Sequence, residues 1–190
     1  MKFRKIVYGM VASVFVLGLA TGCSDKKLEP NKGKSEEPAK EEKKGNCTIV
    51  ECMKSIEITN SVEDINNIIG FEGEPVSEGS STYVWRFTDT TKIEYQPSNG
   101  QGSISATIDR TTIKDKKVDF SKYSEIKELL NNGTSLTYDE FKEKVGGVEG
   151  TLVGKSSSSK RYTWVNSKGG YLTASFSERT GKCTIVTGRY

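Results

Sequence analysis

Histidine is absent from all 190 residues of the chain. A Ser–His–Asp triad, a Cys–His dyad, a His-ligated metal and an imidazole proton relay each need that ring, so these chemistries are excluded. Cysteine is scarce, at four residues. Three of them, Cys47, Cys52 and Cys183, lie beyond residue 23, one short of the four Cys or His ligands that close a structural zinc site. A catalytic thiol would also lack its usual base. No metal and no cofactor is therefore expected. The one extended apolar run, Ile6 to Ala20, has 15 residues, short of the ~20 that cross a bilayer as a helix.

That run is flanked by Lys2, Arg4 and Lys5 on one side and by Ala20-Thr21-Gly22-Cys23 on the other. Basic start, apolar middle and small residues make a signal peptide over 1–22. The small residues leading into Cys23 resemble the lipobox of bacterial lipoproteins, in which the cysteine is acylated and becomes the new N-terminus. Ala20 departs from the leucine more common in that pattern. An ordinary secretory signal, with Cys23 incidental, is the alternative. Acyl chains contribute ~0.8 kcal/mol per buried methylene, so lipidation would anchor the chain without a spanning helix. The expected location is the extracytoplasmic face of the cell membrane.

Without residues 1–22 the chain loses three of its 28 basic residues and none of its 25 acidic ones, leaving 25 against 25. A formally neutral protein offers no basic footprint for counterion release from phosphates, and nucleic acid is not an expected partner. Residues 24–46 hold 13 charged side chains in 23, with only Leu28 and Ala39 as apolar ones besides two prolines. Such a segment cannot bury enough surface to offset its ordering entropy, so 23–46 reads as a disordered tether. A coil of that length spans roughly 27 Å.

Pattern concentrates in 47–190, and it occurs twice. Ser61-Val62-Glu63-Asp64-Ile65, closing at Gly70, matches Thr137-Tyr138-Asp139-Glu140-Phe141, closing at Gly146. A hydroxyl residue with a carboxylate three positions on is the capping-box signature of a helix start, and glycine suits a left-handed helix end. Asp64 is shorter than the usual Glu, so the second box should be the better one. Tyr83-Val84-Trp85 matches Tyr162-Thr163-Trp164, and Ile104-Ser105-Ala106 matches Cys183-Thr184-Ile185. Ile49, Cys52, Met53 and Ile56 form one helical stripe, and Tyr123, Ile126, Leu129 and Leu130 a second. Alternating residues follow each helix pair: Tyr83/Trp85/Phe87, Ile93/Tyr95, Ile104/Ala106/Ile108, then Tyr162/Trp164, Leu172/Ala174/Phe176 and Cys183/Ile185. Period two with polar partners means sheets with one covered and one open face. The expected fold is α+β, with two tandem helix–helix–antiparallel-sheet repeats over 47–115 and 116–190.

This order of elements, with the Asn132-Gly133-Thr134 to Gly146 segment, its partner at Thr59 to Gly70 and the aromatic strands after each, resembles the β-lactamase inhibitor protein-like family. That family includes exported lipoproteins sharing the tandem repeat, and the resemblance covers most of 47–190. It implies that the two repeats align into one concave sheet surface able to bind a partner protein. In the family's inhibitors an acidic residue on a first-repeat hairpin enters the target's active site, and Asp89 occupies the comparable place. Aspartate is also an ordinary hairpin residue, because it bonds its own backbone. The second hairpin, Asn166 to Gly170, lacks the aromatic insertion that a two-loop inhibitor uses.

Other motifs have plainer readings. Gly150-Thr151-Leu152-Val153-Gly154-Lys155-Ser156 imitates a phosphate-binding loop, but it has three residues between its glycines instead of four and leads into a strand. Cys52 on a helical stripe and Cys183 on a covered strand face read as core residues. Cys52–Cys183 is the disulfide this favours, and free buried thiols are the alternative. Trp85 and Trp164 read first as core and second as interface anchors. If Trp85 faced solvent, alternation would point Arg86 into the core, where an unpaired charge is costly. The open face would then present Val84, Arg86, Lys92, Glu94, Thr173 and Ser175.

The function expected is a membrane-anchored lipoprotein that binds another protein and carries out no catalysis. Alternatives are β-lactamase-inhibitor-like activity, a carboxylate-based cell-wall enzyme and an envelope-assembly lipoprotein. Mass spectrometry of the mature N-terminus is expected to show an acylated Cys23, and Cys23→Ser to release the protein from membranes. Unchanged membrane retention of that variant would overturn the assignment.

Overall fold

The computed structural model describes residues 45–99 and 102–190. The signal segment, Cys23 and the tether up to residue 44 lie outside the described residues. Among the described residues four α-helices and nine strands follow one another in an α+β order. Helices α1 (Ile49–Ser55) and α2 (Val62–Ile69) precede strands β1 (Glu74–Pro75), β2 (Tyr83–Arg86), β3 (Lys92–Gln96) and β4 (Ser103–Thr107). A 3-10 turn at Arg110–Ile113 and the short β5 (Lys114–Asp115) lead to α3 (Tyr123–Asn131) and α4 (Tyr138–Lys144). The chain ends in β6 (Thr151–Ser156), β7 (Ser159–Asn166), β8 (Tyr171–Ser177) and β9 (Cys183–Arg189). The strands form one open sheet in the order β1-β2-β3-β4-β6-β7-β8-β9, antiparallel throughout. β5 pairs in parallel with the far end of β7, continuing the line that β6 leaves.

Local chemistry fixes where the helices begin. Ser61 and Asp64 form a complete capping box, with Ser61 N–H donating to the carboxylate at 2.9 Å. Thr137 and Glu140 form the corresponding box at 2.8 Å. The shorter Asp64 thus serves as well as Glu140. A third box, Thr48 with Glu51, starts α1; its Thr-x-x-Glu spacing is a signal the sequence reading missed. Gly70 and Gly146 both have positive φ, 91° and 104°, as their place after a helix requires. Gly45 and Asn46, assigned to the tether from sequence, are docked on the fold: Asn46 N–H donates to Ile69 O at 2.7 Å.

All four helices lie on one face of the sheet, over two clusters of buried side chains. Cys52, Met53, Ile56, Ile65 and Ile69 meet Trp85, Ile93, Tyr95 and Ile104 in the first. Tyr123, Ile126, Phe141 and Val145 meet Trp164, Leu172, Ala174, Phe176 and Cys183 in the second. One position departs from simple alternation. A register shift at Ser175/Phe176 sets Phe176 opposite Cys183 but Ser175 opposite Ile185. The extra residue rotates the strand, so Ile185, expected on the covered face, is 60% exposed on the open one. Val186, opposite Ala174, takes the covered place.

The clusters are tied together through α1. Seven residues make a helix too short to persist on its own, and α1 is held at both ends. Cys47, just before the cap, forms a disulfide with Cys52 in the helix, a loop whose closure contributes ~2 kcal/mol in the chain-entropy account. At the other end Lys155, on β6, is only 6% exposed. Its ammonium donates to Ile56 O at 2.7 Å, Glu57 Oε1 at 3.1 Å and Lys54 O at 3.2 Å. A cation at a helix C-terminus satisfies carbonyls that the helix cannot.

Glu57 is 63% exposed, so its ion pair with Lys155 is screened and contributes little. The buried carbonyl is the larger concern, because losing its donor costs roughly 1–3 kcal/mol. Lys155→Met is therefore expected to lower the unfolding free energy in urea by about 2 kcal/mol, and Glu57→Gln by less than ~0.5 kcal/mol. Equal losses for the two variants would show that the ion pair dominates.

Candidate functional site

Alternation on a pleated strand sends every second side chain away from the helices, and here those residues make a broad polar surface. β2 and β3 contribute Arg86, Lys92, Glu94 and Gln96; β4 contributes Ser103, Ser105 and Thr107. Across the β4–β6 joint, Ser105 faces Gly154 and Ser103 faces Ser156. Arg161, Thr163, Thr173 and Ser175 continue the surface on β7 and β8.

Three shallow hollows mark it. One of about 260 Å³ lies over Glu94, Gln96, Ser103 and Ser105, beside Val76 and Thr82. A second of about 320 Å³ is lined by Ser103, Ser105, Ser156, Arg161 and Ser175. A third of about 230 Å³ lies between Thr107, Arg110, Val153, Arg161, Thr163 and Thr173. Lys92 and Glu94 neutralise each other at 2.8 Å. The Arg161 side chain has no hydrogen bond or ion pair among the described residues, and its guanidinium lies over Gly154, where a β-carbon would sit 3.1 Å from Nη2. Arg110 stacks on Tyr171, 3.5 Å from the ring centre. Hydroxyls, open hollows and cations without carboxylate partners suit a recognition surface.

Acid–base chemistry has less support. A carboxylate acid catalyst needs a pKa raised by burial or by a like charge. Among the described residues the carboxylates whose surroundings move their pKa are moved down instead. Hydrogen bonds from their own caps and turns hold down Glu51, Asp64, Asp109, Asp119 and Glu140. Glu125 is lowered by Lys144, and Glu149 by Tyr138 and then Lys142. The Tyr138 hydroxyl donates to Glu149 at 2.6 Å and accepts from Gly150 N–H at 3.0 Å, which latches the loop before β6. Among the described residues no group of three or more Cys, Asp or Glu is placed to hold a metal ion. None of the helices among them is long and apolar enough to cross a membrane.

The sequence-derived residues separate clearly. Arg86 is exposed on the open face, as alternation requires. Val84 faces the same way but is buried, flanked in register by Glu74 and Glu94. The tryptophans are not interface anchors. Trp85 is fully buried and its Nε1–H donates to Asn66 Oδ1 at 2.9 Å; Trp164 is buried and donates to Val148 O at 2.8 Å. Each indole lies against a glycine: a β-carbon on Gly73 would stand 2.4 Å from Trp85, and one on Gly150 2.6 Å from Trp164. Asp89 is exposed at the β2–β3 turn. β2 and β7 run in the same direction, so that turn and the Asn166–Gly170 turn lie at the same end of the sheet.

The Cys52–Cys183 pairing is corrected. Cys52 belongs to the cluster under β2–β4 and Cys183 to the one under β7–β9, while Cys47 stands 5.6 Å from Cys52 between Cα atoms. Cys183 is a free thiol whose burial pushes its pKa up to about 11. Within the Gly150–Ser156 segment Thr151–Ser156 forms strand β6, and its lysine serves the α1 carbonyls instead of a phosphate.

No family model, curated protein or solved structure matches this chain.

Peptide mass mapping of the non-reduced protein is expected to find Cys47 linked to Cys52. Cys183 should resist alkylation until the protein is unfolded, because a buried protonated thiol is a poor nucleophile. A Cys52–Cys183 linked peptide would contradict both statements.

Proposed function

We propose that this is an exported lipoprotein, held at the extracytoplasmic face of the cell membrane by acyl chains on Cys23, that binds another protein without catalysis. The observation that carries the reading is the polar face of the eight-strand path: among the described residues the four α-helices pack on the other side, and only the 3-10 turn at Arg110–Ile113 reaches this face, at its β7–β8 end. Shallow hollows fit the contact surface of a protein better than a small substrate, which binds in concave sites that bury most of its area.

The same reading takes 47–115 and 116–190 as two copies of one unit whose sheets join at β4–β6 into a concave surface. Support comes from the order α-α-β-β-β-β on either side of β5. The glycine–tryptophan pairs Gly73/Trp85 and Gly150/Trp164, and the capping boxes of α2 and α4, support it further.

A photocrosslinking side chain at Ser105 or Ser175, tested in whole cells, is expected to capture a protein, and one at the helix-side Glu128 to capture none. Capture from Glu128 alone would overturn the open-face assignment. A second reading, β-lactamase-inhibitor-like binding, draws on the exposure of Asp89 at a turn sharing its end of the sheet with the second hairpin. On that reading Asp89→Ala weakens binding to a captured partner about 30-fold, the factor a lost hot-spot contact of ~2 kcal/mol represents.

A further inference from the structure

The two margins of the sheet are finished in opposite ways. β1 is two residues long, an exposed glutamate and an exposed proline. Brevity, charge and a missing amide are devices that stop a sheet edge from pairing. β9, at the other margin, runs for seven residues without a proline or a carboxylate. Its centre, Thr184-Ile185-Val186-Thr187, is β-branched throughout, a composition that favours extended pairing.

In an antiparallel strand, alternate amides and carbonyls point away from the neighbouring strand. On β9 these outward groups are occupied only at the start. There Cys183 N–H donates to Leu136 O at 2.6 Å, and Thr137 bridges antiparallel to Lys182. From Thr184 to Arg189 the backbone pairs with β8 and, at Ile185 O, accepts from the Cys183 thiol at 3.7 Å; it has no other partner among the described residues. The Leu136–Thr137 segment therefore lies where another strand would begin, and it stops after two residues.

Charge selects among occupants. The side chains of residues 179–190 include three cations, Arg179, Lys182 and Arg189, and no Asp or Glu. Neighbouring Glu178 is held by Lys160 at 3.1 Å, and Glu140 at the head of α4 is the acidic group that senses Lys182. At the far end Tyr171, the register partner of Arg189, already carries Arg110 on its ring. A second copy of the chain, paired about Val186, would bring Arg189 beside the second copy's Lys182, cation against cation. A strand with carboxylates near its two ends is complementary instead.

We infer that the free edge of β9, residues 184–189, takes an extended acidic segment of a partner protein as an additional strand. Its backbone supplies the hydrogen bonds and its end carboxylates meet Arg189 and the Arg179–Lys182 turn. The edge spans about 20 Å, so the segment is about six residues long. This surface is separate from the polar sheet face and does not require that face to bind anything.

The test titrates the full chain, in detergent micelles, with fluorescein-labelled Glu-Thr-Val-Thr-Val-Glu amide, read by anisotropy and by hydrogen exchange at 184–189. Saturable binding with slowed exchange at alternate amides of 184–189 is expected. The Lys-ended peptide should bind at least about tenfold more weakly, and Arg189→Glu should reverse the preference. Methylating the two valine amides should abolish binding when those amides face β9, and shifting the methyl groups to the threonine amides covers the other register. Three results would each overturn the inference: no rise in anisotropy, binding that survives both methylation patterns, or concentration-dependent protection without peptide, which would make a second copy the occupant.

Discussion

A single buried ammonium sets the relation between the two clusters of the core. Lys155 belongs to β6, the first strand after α3 and α4, yet its charge is spent on the last carbonyls of α1, about a hundred residues earlier. A buried lysine is costly unless its donors are taken up, and here three oxygens take them. Because α1 is too short to hold itself, this lysine and the Cys47–Cys52 bond fix both of its ends. The β4–β6 joint carries only three register pairs, so the α1 clasp reinforces the seam from the helix side.

Much of this was legible in the sequence, and the exceptions have physical causes. The capping boxes gave the starts of α2 and α4, because hydroxyl and carboxylate at that spacing solve a problem local to one turn. The tryptophan strands were legible because alternation with Arg86 left one way to bury the indoles. Ile185 was misplaced because a bulge is a register event between two strands and leaves no mark in the periodicity of one. Cys47 was overlooked because the covered-face pattern directed attention to Cys183, whereas the real partner lay across a helix cap five residues away.

Lys155 was the least legible residue of all. In sequence it stood in a segment resembling a phosphate loop, and rejecting that motif left it without a role. Nothing local announces a side chain whose partners lie on an element about a hundred positions upstream. The polar face was easier to read in outline than in detail: alternation named Arg86 and Ser175, but the hollow around Arg161 depends on Gly154 facing it across the β6–β7 pair. Small residues shape the hollow there by what they leave uncovered.

The unequal margins of the sheet also bear on assembly. Growth of strands into fibrils requires that each added chain present an edge as receptive as the one it covers. Here the glutamate and proline of β1 close one margin, so a molecule joined at β9 through a foreign strand offers no further template. Two residues at the opposite border of the fold thus deny the chain that route to polymerisation.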